Sequence, residues 1–182
     1  MATTSLIALL TDFGTADGYP GVMKGVILGI APGTSLVDLT HEIPPQDVRA
    51  AAWVLHTAWR FFPEGSIFLC VVDPGVGSAR YPIALQASGR IFVGPDNGLF
   101  SYVLAESGDA RVVALENPRY IQANRSTTFH GRDVFAPAAA WLAAGVAIEE
   151  LGPVLAAPSL VRLTLPQPEW RPEALLAHVT HI

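Results

Sequence analysis

The chain has 182 residues, a length that accommodates one well-packed domain and a short appendage. Hydrophobic residues make up 51% of it and charged residues only 15%, a balance typical of buried strands covered by helices on both faces. The formal net charge of −5 argues against nucleic acid as the main partner, and apolar runs such as Ile67–Val72 are far too short to cross a bilayer.

Apolar runs of strand length alternate with segments of helical periodicity through most of the chain. The predicted strands are Ser5–Leu10, Ser35–Leu39, Ile67–Val72, Pro82–Gln86, Ile91–Val93 and Arg111–Leu115. The predicted helices are Tyr19–Ile30, with Val22, Val26 and Ile30 at helical spacing, Asp47–Trp59 and Arg132–Ala144. This alternation predicts an α/β fold, in which a mostly parallel sheet with right-handed crossovers carries helices on both faces.

The end of the chain follows a different pattern. Five prolines fall between Gly152 and Pro172, and helical periodicity stops there. An apolar, strand-like segment then runs to Ile182, and a lone strand cannot form a domain. We therefore predict an α/β domain over residues 1–151, a Pro-rich linker over 152–173 and the first strand of a truncated C-terminal β domain over 174–182.

Two features indicate a cytoplasmic protein without a membrane segment. No basic segment precedes the first apolar run, and Asp12 follows that run closely, so we expect no signal peptide. The single cysteine, Cys70, excludes an internal disulfide framework and fits a reducing compartment.

Four aspartates lie at or just beyond the carboxyl ends of predicted strands: Asp12, Asp38, Asp73 and Asp96. In open α/β sheets that edge binds ligands, because the loops there diverge where the strand order reverses. Aspartates also cap helices and make turns, so any one of them has a structural interpretation as well. The four together favour a binding site at this edge.

The segment Val72–Arg80 is the most informative. Asp73 ends a buried strand, the Pro-Gly-x-Gly turn after it brings backbone amides close to a ligand, and Arg80 lies where the loop folds back. An Arg–Asp pair would hold the carboxylate in one geometry, and a purely structural ion pair is the alternative.

His130 lies between Phe129 and Gly131, just before a predicted helix. By itself it is more typical of a hydrogen-bonded structural histidine. Beside Asp73 and Arg80, it would complete a carboxylate–guanidinium–imidazole set that orients and deprotonates a water. His41 and Glu42, after the second strand, favour a structural role, and the segment around Asn97 fits a tight turn into a short helix and a ligand contact equally well.

These motifs recur in one known family. They are Thr11–Gly14 with Asp17 and Gly18, Met23–Gly25, Val37–His41, Phe62–Gly65, Val72–Gly77, Pro95–Gly98 and Phe129–Asp133. Over Leu6 to Leu151 the chain resembles the S-adenosylmethionine hydroxide adenosyltransferases, which are relatives of fluorinase and chlorinase. The resemblance implies that S-adenosylmethionine and water give adenosine and methionine, by attack of activated water or hydroxide at ribose C5′.

The resemblance also implies roles for individual residues. Asp73, Arg80 and His130 match the family's water-activating triad, and Asp12 matches the carboxylate that holds the ribose hydroxyls. Phe129 and Gly131 match residues near C5′, and Phe13 and Asn97 are further substrate-binding candidates. No metal or other cofactor is implied, and the family's homotrimer places the pocket between one subunit's N-terminal domain and a neighbour's C-terminal domain.

The halogenating relatives differ at three of these positions. They carry Ser where this chain has Gly131 and Thr where it has Val76, and they lack an aspartate at the position of Asp73. The resemblance therefore places this chain with the enzymes that use hydroxide.

Two other interpretations stay open. A chain without the C-terminal domain could be a non-catalytic module that binds S-adenosylmethionine or adenosine weakly, or that serves only in assembly. From residue types alone, Asp12, Asp73, Asp96 and His130 could instead form a divalent-metal hydrolase site. The sequence lacks a metal-ligand spacing such as His-x-x-x-His, and Arg80 would repel a cation.

Overall fold

The computed structural model describes residues 5–108, 110–165, 167–177 and 179. Its centre is a seven-stranded sheet in the order β2-β1-β3-β5-β4-β6-β7. The strands are β1 (Leu6–Thr11), β2 (Ser35–Thr40), β3 (Ile67–Val71), β4 (Pro82–Ala87), β5 (Arg90–Pro95), β6 (Arg111–Ala114) and β7 (Val154–Leu155). The described part of the tail adds a two-stranded hairpin of β8 (Glu169–Arg171) and β9 (Ala174–Leu176).

Helices cover both faces of the sheet, which confirms the predicted α/β fold class. They are α1 (Tyr19–Ile30), α2 (Val48–Ala58), α3 (Ser101–Glu106) and α4 (Ala136–Ala143). Alternate residues of β1 point to opposite faces: Leu9 packs in a core with α1 and α4, whereas Leu10 packs in a second core with α2 and α3. Short 3₁₀ turns lie at Trp59–Phe61, Pro118–Tyr120, Ile148–Leu151 and Ala157–Ser159, and a π-helical turn at Gly131–Phe135 leads into α4.

The sheet is parallel only from β2 to β5 along its order. β4 pairs antiparallel with both β5 and β6, and β6 pairs antiparallel with β7. The β4–β5 pairing follows from a two-residue hairpin loop of Ser88 and Gly89, both with positive φ (50° and 72°), whose twist suits tightly connected antiparallel strands. The prediction located both strands but did not recognise the hairpin between them.

The predicted apolar face of α1 needs a correction. Met23 and Ile27 are buried against the sheet, whereas Val22 is 44% exposed and Val26 and Ile30 are only partly covered. The helix is apolar on more than one side, so spacing alone does not show which side the sheet covers.

The first part of the Pro-rich segment packs on the α/β domain. β7 extends the sheet, Leu160 is buried in the second core, and the Leu163 N–H donates to the Ser101 hydroxyl at 2.8 Å. β9 lies within the predicted C-terminal strand, whereas His178 and residues 180–182 lie outside the described residues. The division into three regions remains a prediction.

Candidate active site

A cavity of about 510 Å³ opens at the carboxyl ends of β1 and β3. The parallel strands bring their following loops to this one edge of the sheet, as expected for an α/β fold. Six of the predicted site residues line the cavity: Asp12, Phe13, Asp73, Phe129, His130 and Gly131. Three segments far apart in sequence therefore meet at one site.

Arg80 lies behind the cavity wall and joins Asp73 to His130. Its Nε donates to Asp73 Oδ1 at 3.0 Å, and its Nη2 donates to Asp73 Oδ2. The same Nη2 lies 2.8 Å from His130 Nδ1. The carboxylate and guanidinium side chains are only 6% and 9% exposed, so solvent screens this contact weakly.

The contact with Arg80 determines the tautomer of His130. A guanidinium only donates hydrogen bonds, so His130 Nδ1 must accept and the ring proton of the neutral imidazole must be on Nε2. Burial, and then the positive charge of Arg80, lowers the pKa of His130, and the Asp73 carboxylate opposes this only in part. His130 is therefore a neutral hydrogen-bond donor near pH 7.

Gly77 allows the loop from Asp73 to Arg80 to approach the segment that leads to His130. Its φ is 78°, in the left-handed region that favours glycine, and a Cβ at this position would lie 2.7 Å from the Thr127 carbonyl oxygen. The Asp73–Arg80 loop therefore packs directly on the backbone that leads to His130, and a side chain at residue 77 would separate them.

Asp12 is held by the backbone of Gln46. The Gln46 N–H donates to Asp12 Oδ2 at 2.8 Å, and Gln46 has a φ of 65°, an uncommon conformation for a non-glycine residue. Within the described part of the chain, Asp12 Oδ1 has no hydrogen-bond partner. One carboxylate oxygen is therefore available to a ligand in the cavity.

Aromatic rings form the wall beside Asp12. Phe13, Tyr19 and Phe129 pack edge to face, with ring centroids 5.2 to 6.1 Å apart. A Cβ on Gly131 would lie 3.2 Å from Met23 Sδ and 3.2 Å from Phe129 Cε2, so this glycine gives the rings room. The wall is apolar and tightly packed.

Three other candidates lie away from the cavity lining. Asn97 donates to the Val72 carbonyl at 2.8 Å and accepts from the Leu99 N–H, as a turn residue does. Asp96 accepts from the Val161 N–H at 2.9 Å, and burial raises its pKa although that hydrogen bond opposes the rise. Asp38 pairs with Lys24 at 2.6 Å. Substrate binding by Asn97 stays a prediction.

The predicted set of metal ligands is not assembled. Asp12, Asp73 and His130 line the cavity, but Asp96 is buried outside its lining against the Pro-rich segment. Within the described ranges, no group of three or more His, Cys, Asp or Glu side chains is arranged to hold a metal ion.

Seven lining residues were not among the predicted site residues: Tyr19, Gln46, Val71, Val76, Ser126, Thr128 and Arg132. Tyr19 directly follows a recognised motif, Arg132 lies within another, and Gln46 precedes the helix cap Asp47. Tyr19 fitted a helix start, and a positive φ at Gln46 leaves no signal in a single sequence. The Arg132 guanidinium lies 5.1 Å from the Phe129 ring centroid and donates to Asp133, which is why its side chain borders the cavity.

Comparison with known proteins identifies the family of this site. A model of the SAM hydroxide adenosyltransferase N-terminal domain matches residues 7–152, which include every residue of the cavity wall. The chain belongs to the SAM hydroxide adenosyltransferase family. A curated family member from Salinispora tropica, named (R)-S-adenosyl-L-methionine hydrolase, is 47% identical over 96% of this chain. A fluorinase from an Actinoplanes species is 32% identical over 90% of it.

Both relatives are longer than this chain, which spans 66% of the Salinispora protein and 62% of the fluorinase. Among solved structures, an uncharacterized conserved protein from Thermotoga maritima superposes with a TM-score of 0.86 at 42% identity, over 89% of this chain and 62% of that one. In the part of the chain that is described, no helix is long and apolar enough to cross a membrane.

Proposed function

We propose that this protein hydrolyses S-adenosylmethionine to adenosine and methionine by attack of water at ribose C5′. The observation that carries the proposal is the convergence of Asp73 and His130, joined by Arg80, on the cavity that also holds Asp12. The hydrolase name of a relative at 47% identity supports it.

Each polar group has a distinct task in this reaction. His130 Nε2–H donates to the oxygen of the attacking water, while the Asp73 carboxylate accepts a hydrogen bond from the same water and takes its proton as the C–O bond forms. The C5′–S bond breaks as C5′–O forms, and methionine leaves as a neutral thioether. One proton is released overall, and the reaction as proposed uses no metal or other cofactor.

The apolar wall favours this chemistry. Attack of a hydroxide-like oxygen on a sulfonium cancels opposite charges, so the transition state tolerates a dry environment better than the separated ions do. The rings of Phe13 and Phe129, both partly buried, provide apolar surface beside the polar groups, and Tyr19 next to them is 49% exposed. In-line placement of the water towards C5′ then lowers the barrier further.

The proposal also covers the oligomeric state and the compartment of the protein. We propose a cytoplasmic homotrimer in which a C-terminal domain, corresponding to the part of the longer relatives that this chain does not span, completes the substrate pocket. The competing candidate, a module that binds without turnover, is favoured by the chain's coverage of only 66% of the Salinispora relative.

Isotope labelling separates turnover from binding. With S-adenosylmethionine in H₂¹⁸O, we expect adenosine carrying ¹⁸O at its 5′-hydroxyl, together with methionine free of label. Unlabelled adenosine would mean that another oxygen donor attacks C5′. If calorimetry shows adenosine binding and no product forms, the chain is the non-catalytic module instead. Activity restored in a chain extended by the C-terminal domain of a relative would then show that turnover requires this domain.

Asp12→Ala is expected to weaken adenosine binding by roughly ten- to hundredfold, because a charge-assisted hydrogen bond to the ribose hydroxyls is lost. Titration calorimetry measures this directly. Asp17→Ala, a change of the same type outside the cavity lining, is the matched control. Equal affinity for adenosine in the Asp12 variant and the unmutated chain would contradict ribose recognition by Asp12.

A further inference from the structure

The loop that carries Asp12 and Phe13 is connected to a buried histidine below the cavity. His41 follows β2 and is 5% exposed, and its Nδ1 lies 2.8 Å from the hydroxyl of Thr11, the fully buried last residue of β1. The Phe13 N–H donates to that hydroxyl at 3.3 Å. The Thr11 hydroxyl therefore links the His41 imidazole to the backbone N–H of Phe13, which lines the cavity.

The other side of the imidazole faces a charged pair. His41 Nε2 lies 3.0 Å from Asp38 Oδ1, off the line of a well-aligned hydrogen bond, and Asp38 Oδ2 accepts from Lys24 Nζ at 2.6 Å. Burial by itself would raise the pKa of Asp38, but contacts with Lys24 and His41 outweigh burial and lower it. An ionised carboxylate therefore faces Nε2.

The Asp38 carboxylate beside Nε2 favours the neutral tautomer that carries its proton on Nε2. In that tautomer Nδ1 accepts the hydroxyl proton of Thr11, whose Oγ1 accepts from the Phe13 N–H. Nδ1 then carries no proton, and the proton on Nε2 points towards the Asp38 carboxylate. Thr11 Oγ1 is hydrogen-bonded on both sides, whereas His41 Nε2 lies close to Asp38 Oδ1 without a well-aligned hydrogen bond.

The same two loops are joined at further points. The Gly14 N–H donates to the His41 carbonyl at 2.7 Å, and the Gln46 N–H donates to the Asp12 carboxylate at 2.8 Å. Asp12, Phe13 and Gln46 all line the cavity, whereas His41 and Asp38 do not. His41 is thus placed to act on the site only through the residues above it.

We infer that His41, linked to Thr11 and Asp38, is a positioning residue that holds the Asp12 carboxylate and the Phe13 ring in the geometry that binds the ribose. This inference rests on the proposed function for the identity of the ligand. In this inference His41 orders Asp12, which is itself the group that binds the ribose. Loss of His41 should therefore weaken the affinity for the ligand and leave the chemical step unchanged.

The test is adenosine affinity in a double-mutant cycle. We expect His41→Gln to weaken adenosine binding about three- to tenfold while the turnover of saturated enzyme changes little, because one buried hydrogen bond is lost. In the Asp12→Ala background, the same substitution should change the affinity less than about twofold, since groups that act through one another are not additive. Additive effects would overturn the positioning role.

Two conservative substitutions at Thr11 distinguish the loss of one hydrogen bond from a general loss of folding. Thr11→Val keeps the shape but removes the hydroxyl and should weaken binding as His41→Gln does, whereas Thr11→Ser should bind nearly as the unmutated chain does. His56→Gln is the matched histidine control, because His56 lies on α2 with its Nδ1 3.4 Å from Glu106 of α3, outside the cavity lining. Equal binding by the Val and Ser variants would contradict the inference.

A readout without ligand completes the design. Nitrogen-15 NMR of the unmutated chain should show His41 protonated on Nε2 and unprotonated on Nδ1, and the opposite tautomer would overturn the link to Thr11. Failure to bind adenosine, both in this chain and in the chain extended by the C-terminal domain of a relative, would overturn the proposed function, and the NMR result would still decide whether the link exists.

Discussion

His130→Ala is expected to lower the turnover of S-adenosylmethionine by roughly 10²- to 10⁴-fold, the usual contribution of a positioned acid–base group, while adenosine affinity stays nearly unchanged. The imidazole borders the cavity, and in the proposed reaction its Nε2–H donates to the attacking water, so we expect its removal to affect the nucleophile and not the ribose. Steady-state kinetics and calorimetry on the same preparation separate the two effects. A loss of affinity larger than the loss of turnover would contradict this role.

His130→Gln distinguishes a donor from a base. A glutamine amide can replace the Nε2–H donor but cannot take up a proton at neutral pH. Because Arg80 occupies Nδ1, we expect the Gln variant to keep part of the turnover that the Ala variant loses. Equally inactive Gln and Ala variants would assign proton transfer to His130 itself.

The pH profile follows from the same geometry. Burial and the Arg80 charge lower the pKa of His130 below the ordinary histidine value of about 6.5, so the neutral form persists into mildly acidic solution. The rate of turnover should therefore stay constant as the pH falls to about 6.5 and decline only below that pH, when a proton on Nδ1 would be repelled by the Arg80 guanidinium. In His130→Gln this acid limb should disappear, and an unchanged limb would assign it to another group.

Arg80→Lys is expected to lower turnover roughly ten- to hundredfold, although the positive charge is kept. Arg80 makes three contacts at once, two with Asp73 and one with His130, and a single ammonium cannot reproduce that planar arrangement. Kinetics at saturating substrate measure the loss. Full activity in the lysine variant would make Arg80 incidental to catalysis.

Two further variants test the physical reason. Arg111→Lys changes an exposed Arg–Glu149 pair, with side chains 56% and 45% exposed, and should leave turnover unchanged. Arg80→Met leaves the buried Asp73 carboxylate without its partner and should cost about 3–5 kcal/mol of the free energy of unfolding. A methionine variant as stable as the unmutated chain would show that the pair contributes little to the fold.

Local patterns predicted most of the secondary structure. α1 spans Tyr19–Ile30 as expected, and α2 starts one residue after Asp47, whose carboxylate accepts from the Ala50 N–H at 2.9 Å as a helix cap. Such features depend on neighbours along the chain. The direction of β4 did not emerge, because two strands close in sequence fit either a hairpin or a crossover until the loop conformation is known.

The site was only partly predictable for a similar reason. Three of the four aspartates follow strands and Asp38 lies within β2 near its end. Asp12 and Asp73 face the cavity, whereas Asp38 and Asp96 pair with other parts of the protein. Strand order and register decide which side chains meet, and these are set by packing across long sequence distances.

Residue types and periodicity were enough to predict an α/β domain with polar residues at the ends of its strands, and the recurrence of whole motifs indicated the family. The bridge from Asp73 through Arg80 to His130, the proton on His130 Nε2 and the contact of His41 with Thr11 became known from the folded structure. The reason is physical: residue types and periodicity act over one or two turns of chain, whereas hydrogen-bond direction is known only when distant segments pack together.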